Sequence, residues 1–192
     1  MTQVVPKRKV RARVRLANSR GLDGFLYAAV AGARGEPETL ADRLNDSTEK
    51  YLPFALEDRH VLLNKSCIVA LEVPRSELPE PGEAQAEDRE VTEFRLRFDL
   101  SDGTSISGVV AAEMPFDRER PLDFLNLRAA RFLGVKAGDG AILINGDFVV
   151  SVTEVHASDV DAARWAPIDR GYHAGPGISD ARVRKTPDHD DA

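Results

Sequence analysis

A chain of 192 residues, 42% hydrophobic and with a formal charge of −6, is long enough for one compact domain or two small ones. That mild negative charge argues against a general nucleic-acid coat or a membrane-surface protein, and no apolar stretch reaches the ~18 residues of a spanning helix. The single cysteine, Cys67, allows no intrachain disulfide, and no apolar segment follows Lys7, Arg8 and Lys9, so a cytoplasmic setting is expected.

Residues 1–9 read as a basic N-terminal tail. Val10, Ala12, Val14 and Leu16 then alternate with Arg11, Arg13 and Arg15, the period of a half-buried strand. A returning strand runs past Gly24, where a bulge or a close backbone approach is expected. Thr39-Leu40-Ala41-Asp42 has capping-box spacing with Asp in the place of Glu, and Leu40 and Leu44 share one face of the short helix it opens. Strands are expected at 51–56, 60–64 and 66–73, the last burying Cys67 beside Ile68 and Val69. Residues 74–93 hold prolines and many acids, the composition of a solvated linker.

The same succession then recurs. Phe94, Leu96, Phe98 and Leu100 alternate with polar residues, Ser101-Asp102-Gly103-Thr104 supplies turn chemistry, and a strand returns past Gly108. Pro121 suits the first turn of a helix. Strands at 132–137, 141–145 and 147–155 follow. From 156 to 192 periodicity is lost and disorder is expected, with Trp165, Ile168 and Tyr172 as the large side chains able to dock the tail.

The recurrence is a duplication. At a spacing of 81 residues (123 − 42) eight pairs are identical: Asp42/Asp123, Leu44/Leu125, Asn45/Asn126, Leu52/Leu133, Asp58/Asp139, Leu62/Leu143, Asn64/Asn145 and Val69/Val150. The opening hairpins align at 84 (95 − 11), through Arg11/Arg95, Arg13/Arg97, Leu16/Leu100, Gly24/Gly108 and Ala28/Ala112. The loop at 31–38 therefore makes the first copy three residues longer (84 − 81). Five short strands and one helix per copy predict a mainly β protein: two tandem small β-barrels of SH3-like or Sm-like type at 10–73 and 94–155, each with one short helix.

Two sets of residues are candidates for a binding site. Asp42, Asn45 and Asn64 recur as Asp123, Asn126 and Asn145, a repeated polar pattern able to line a ligand site. Its structural alternative is local: Asp caps the helix, and Asn ends it or takes a left-handed turn position. Arg8, Arg11, Arg13 and Arg15 form a basic approach that could contact phosphate, or else the solvent face and guarded edge of a strand. The four histidines (60, 156, 173 and 189) have no paired spacing or neighbouring thiols, so no metal is expected. Neither a phosphate-binding glycine loop nor a catalytic constellation is present in the spacing, so no enzyme and no cofactor are expected.

Three resemblances rest on these residues. Leu100-Ser101-Asp102-Gly103, Gly108, Asp123 and Leu125-Asn126, followed by Ile142-Leu143-Ile144-Asn145-Gly146-Asp147, resemble the two Sm motifs. The resemblance implies a single-stranded RNA site at Asn126, although Asn145 stands where that family carries Arg. Leu40-Ala41-Asp42-Arg43-Leu44-Asn45, Tyr51-Leu52-Pro53-Phe54 and Leu63-Asn64-Lys65 resemble an uncharacterised bacterial domain of unknown function. Arg11 and Arg15 have the spacing of the arginine motif of PilZ-type cyclic-di-GMP receptors, which would imply cyclic-dinucleotide or other small-ligand sensing. Duplicated, nearly neutral units favour instead a non-catalytic binding or scaffold module for a protein partner. Self-association into a homo-oligomer is compatible with that reading, nucleic acid is disfavoured, and no membrane is expected.

Overall fold

The computed structural model describes residues 6–31, 36–79, 89–115, 120–127 and 130–156. Trp165, Ile168 and Tyr172 lie outside the described residues, with the rest of the C-terminal segment after 156. So do residues 1–5, 32–35 of the longer loop and 80–88 of the expected linker.

The first unit contains β1 (Lys7–Leu16), β2 (Gly21–Ala29), α1 (Leu40–Asn45), β3 (Tyr51–Ala55), β4 (His60–Asn64) and β5 (Ile68–Pro74). The second contains β6 (Arg89–Leu100), β7 (Ser105–Pro115), α2 (Pro121–Leu127), β8 (Phe132–Ala137), β9 (Gly140–Asn145) and β10 (Val149–Glu154). The protein is mainly β, as its alternation predicts. Its strands do not form two separate closed barrels, however. They lie in a single open antiparallel sheet of ten strands, in the order β10-β6-β7-β8-β9-β5-β1-β2-β3-β4. Each unit supplies five consecutive strands in the same internal order, and β9 of the second lies against β5 of the first.

The duplication extends to register. Leu16 faces Ile68 and Arg15 faces Ala70, so Val69 is a bulge; Leu100 faces Val149 and Asp99 faces Ser151, so Val150 is the same bulge in the second unit. Tyr51 opposite Asn64 likewise matches Phe132 opposite Asn145. The hairpin turns agree as well, with Ser19 at φ 62° where the second unit has Gly103 at φ 81°.

Gly24 and Gly108 are sites of close backbone approach. A Cβ on Gly24 would overlap the Ala55 carbonyl oxygen and the Phe54 ring, and one on Gly108 would overlap Val135 Cγ1 and the Lys136 carbonyl. Beside them β2 meets β3 only at Phe25–Ala55, and β7 meets β8 only at Val109–Lys136. Pairing thus narrows to one residue pair at each of these crossings, and each unit has its own apolar core.

Two apolar cores result, and the junction strands feed both. Val10, Ala12, Val14, Leu26 and Phe54 anchor the first; Phe94, Leu96, Phe98, Ile106 and Val110 anchor the second. Along β5, Ile68, Leu71 and Val73 enter the first core while Val69 and Ala70 enter the second. Along β9, Ala141 and Leu143 enter the first while Ile142 and Ile144 enter the second. Alternate side chains of a strand leave opposite faces, so a strand between two cores is apolar on both.

Several local expectations are corrected. Cys67 is exposed, because Lys65–Cys67 form a 3₁₀ turn that precedes β5 instead of its first residues. Asn64 is extended at φ −73°, not left-handed; its Oδ1 accepts from Ser66 N at 3.0 Å and caps that turn. Asn145 does the same for the Gly146–Phe148 turn, accepting from Asp147 N at 3.0 Å. The segment 74–93 is not solvated throughout either. Arg75–Glu77 form a 3₁₀ turn whose Glu77 side chain is buried, and β6 begins at Arg89.

Candidate functional site

The repeated polar set divides into two groups. Asp42 closes a capping box on α1: its amide donates to Thr39 Oγ1 at 3.1 Å, and its Oδ2 accepts from Thr39 N at 3.1 Å. Asn45, at the end of α1, reaches the other unit. Its Nδ2 donates to the Phe132 carbonyl at 3.1 Å and its Oδ1 accepts from Phe132 N at 2.7 Å. Asn145 is fully buried and donates from Nδ2 to the Ile68 carbonyl at 2.8 Å. Phe132 stands opposite Asn145 on β8, so Asn45 and Asn145 stitch the two units together at one end of the β5–β9 pairing.

Their counterparts have no such partner among the described residues. Asn126 is exposed on α2, and neither it nor Asp123 makes a side-chain hydrogen bond among the described residues. The structure thus brings Asn45 and Asn145 to the junction and leaves Asn126 and Asn64 at the two far ends of the molecule. The six residues do not converge on one site.

The four arginines each face an acid. Arg8 donates from both terminal nitrogens to buried Glu77, at 2.6 and 2.9 Å, and from Nη2 to the Glu38 carbonyl at 2.8 Å. The hydrogen bond that Arg8 donates to Glu77 outweighs partial burial and raises the Arg8 pKa above its ordinary value. Arg11 lies 3.4 Å from Asp23, and Arg13 lies 3.0 Å from Glu72 and 3.8 Å from Asp23. Arg15 pairs with Asp102 of the second unit at 2.5 Å. Burial raises the Asp102 pKa, but hydrogen bonds from Thr104 and the Arg15 charge prevail and hold it below the usual carboxylate range.

Sequence reasoning missed the buried polar cluster beneath α1. Lys65 donates from Nζ to the carbonyls of Arg43 and Asp46, at 2.8 and 2.5 Å, and so satisfies the C-terminal end of the helix. Burial pulls the Lys65 pKa below its ordinary value. Arg43, also buried, pairs with Glu49 at 2.8 Å and Glu38 at 3.6 Å. In the second unit Phe124 and Gly146 stand at the positions of Arg43 and Lys65 (43 + 81, 65 + 81). Phe124 packs against Phe94 with ring centroids 6.1 Å apart. Helix capping by a lysine from a distant turn leaves no spacing signature.

A further surface feature is a pair of sheet edges that have no neighbouring strand among the described residues. β4 and β10 end the strand order, and each carries an exposed aliphatic residue: Leu62 at 70% and Val150 at 69% exposure. Tyr51, on the strand beside β4, is 56% exposed. Among the described residues no group of three or more His, Cys, Asp or Glu is placed to hold a metal ion. Nor is any described helix long and apolar enough to cross a membrane.

No family model, curated protein or solved structure matches this chain.

Proposed function

We propose that the chain is a non-catalytic interaction module that binds protein by accepting strands at the free edges of its sheet. One observation carries this reading: both terminal strands, β4 and β10, present backbone together with exposed Leu62 and Val150. Soluble proteins blunt such edges with charge, proline or a covering segment, because unpaired backbone beside apolar side chains recruits another strand. Strand addition gains affinity from main-chain hydrogen bonds and specificity from alternate side chains. The arginines and most of the candidate asparagines support the same reading, since their polar atoms already serve neighbouring acids, turns and backbone.

At the finer level, we read each unit as a small, strongly bent Sm-like barrel descended from one bacterial domain. The shared strand order, the two glycine crossings and the repeated bulge support it.

The test is affinity capture from native lysate, with and without nuclease, comparing the wild-type chain with Leu62→Asp. A protein recovered after nuclease treatment and lost with Leu62→Asp is the expected result. Recovery that depends on intact nucleic acid, or capture indifferent to the edge variant, contradicts the proposal.

A further inference from the structure

The two free edges are not unrelated surfaces. Under the 81-residue correspondence β10 is the second copy of β5, and β4 is the first copy of β9. Within the chain, β5 and β9 already pair, from Ala70 opposite Ile144 to Pro74 opposite Gly140. We propose that copies of this chain associate head to tail, β10 of one adding beside β4 of the next in the register that joins β5 to β9.

Transferring the junction register by 81 residues sets Ser151 opposite Leu63, Val152 opposite Leu62 and Glu154 opposite His60, ending with Val155 opposite Arg59. Three of the exposed apolar residues fall where this pairing would cover them. Leu62 is 70% exposed and its copy Leu143 0%; Val150 is 69% exposed and its copy Val69 0%; Tyr51 is 56% exposed and its copy Phe132 2%. All three buried copies lie at the junction. The exposed ones occupy the ends of the molecule.

The polar stitches point the same way. Asn45 holds both backbone groups of Phe132, and its copy Asn126 is exposed with no side-chain partner among the described residues. Head-to-tail association would bring Asn126 to the backbone of Tyr51. Asn145 Nδ2 donates to the Ile68 carbonyl across the junction. Its copy Asn64 uses Oδ1 for Ser66, and its amide nitrogen has no acceptor among the described residues; the Val149 carbonyl of the next chain stands in the matching place. Each end of the molecule thus offers one half of a contact that the junction shows complete.

Such a contact is heterologous, so it builds either a closed ring or an open filament. The proposal rests on the reading of the edges as the binding surface and names their occupant as a second copy of the chain.

Sedimentation of the purified full-length chain over a wide concentration range tests it. The expected mass is a multiple of 21.0 kDa. Leu62→Asp, which blocks β4, and Val150→Asp, which blocks β10, should each be monomeric, with unchanged circular dichroism. Mixed together they should form a species of twice the chain mass and nothing larger, because one open β10 meets one open β4. A wild-type monomer at every concentration overturns the proposal, as does an oligomer that survives either variant or a mixture that stays monomeric. If the aspartates unfold the chain, Leu62→Cys with Val152→Cys in a Cys67→Ser background replaces them. Oxidation should then give an interchain disulfide ladder, and its absence counts against the register. A monomer that still captures another protein through Leu62 would overturn self-association alone; a monomer with no edge-dependent partner would overturn the edge reading too.

Discussion

Glu77 shows how a single residue escapes sequence reading. It sits in a segment whose composition signals a solvated linker, yet its carboxylate is buried, with Oε2 accepting from Leu40 N at 3.0 Å and both oxygens taken by Arg8. Arg8 is 69 positions away, and no local pattern announces such a pair. Removing one member of a part-buried, hydrogen-bonded ion pair leaves the other uncompensated, so Glu77→Ala should cost about 2–3 kcal/mol in denaturant unfolding. Ser19 offers the opposite change. A side chain in the left-handed region is strained by roughly 1–2 kcal/mol, and the second unit uses glycine there. After the entropic cost of glycine in the unfolded chain, Ser19→Gly should still stabilise by about 0.5 kcal/mol, read as a shift of the unfolding midpoint.

Asp102 carries a pH dependence at the same scale. Its folded pKa lies below that of an ordinary aspartate, so between the two values the unfolded chain binds more protons than the folded one. Its contribution is present above the unfolded value and is lost as pH falls through the folded one. Acid unfolding of Asp102→Asn should therefore be less steep below about pH 4 than that of the wild type. Equal acid slopes would contradict the assignment.

Among the elements, strands with one buried face were the legible ones. β1 and β6 alternate apolar and polar residues because one side meets a core and the other meets water, and their exposed positions hold Arg11, Arg95 and Arg97. The capping box of α1 was legible too, since both of its partners lie within one turn. β5 and β9 were not assigned to a junction, because a strand buried on both faces reads only as a short apolar run. Cys67 is exposed against expectation for a related reason: the residues before that run form a turn, and hydrophobicity alone does not mark where the turn ends. Asn145 and Asn64 separate the two kinds of strand experimentally. Asn145→Ala removes a turn cap and the bond to the Ile68 carbonyl, and should cost about 2–3 kcal/mol. Asn64→Ala removes only the cap in an isolated chain and should cost about 1 kcal/mol, by the same unfolding measurement.

For the whole molecule, the duplication visible in the sequence is also the rule of its assembly. The spacing of 81 residues relates bulge to bulge, turn to turn and asparagine to asparagine, and the order of strands repeats without change. How the two copies meet was not legible, because strand pairing between units depends on backbone groups that every residue shares. The polar candidates illustrate the limit. Asn45 and Asn126 are the same residue by sequence, yet one is enclosed by the neighbouring unit and the other faces solvent. Residue-resolved hydrogen exchange of the dilute full-length chain tests the continuous sheet most directly. Amides of β5 and β9 should share the slowest rates with β1 and β6, while those on the outer edges of β4 and β10 exchange far faster. Exchange from β5 and β9 as fast as from the outer edges would mean two independent units, and would contradict a single sheet joined at its centre.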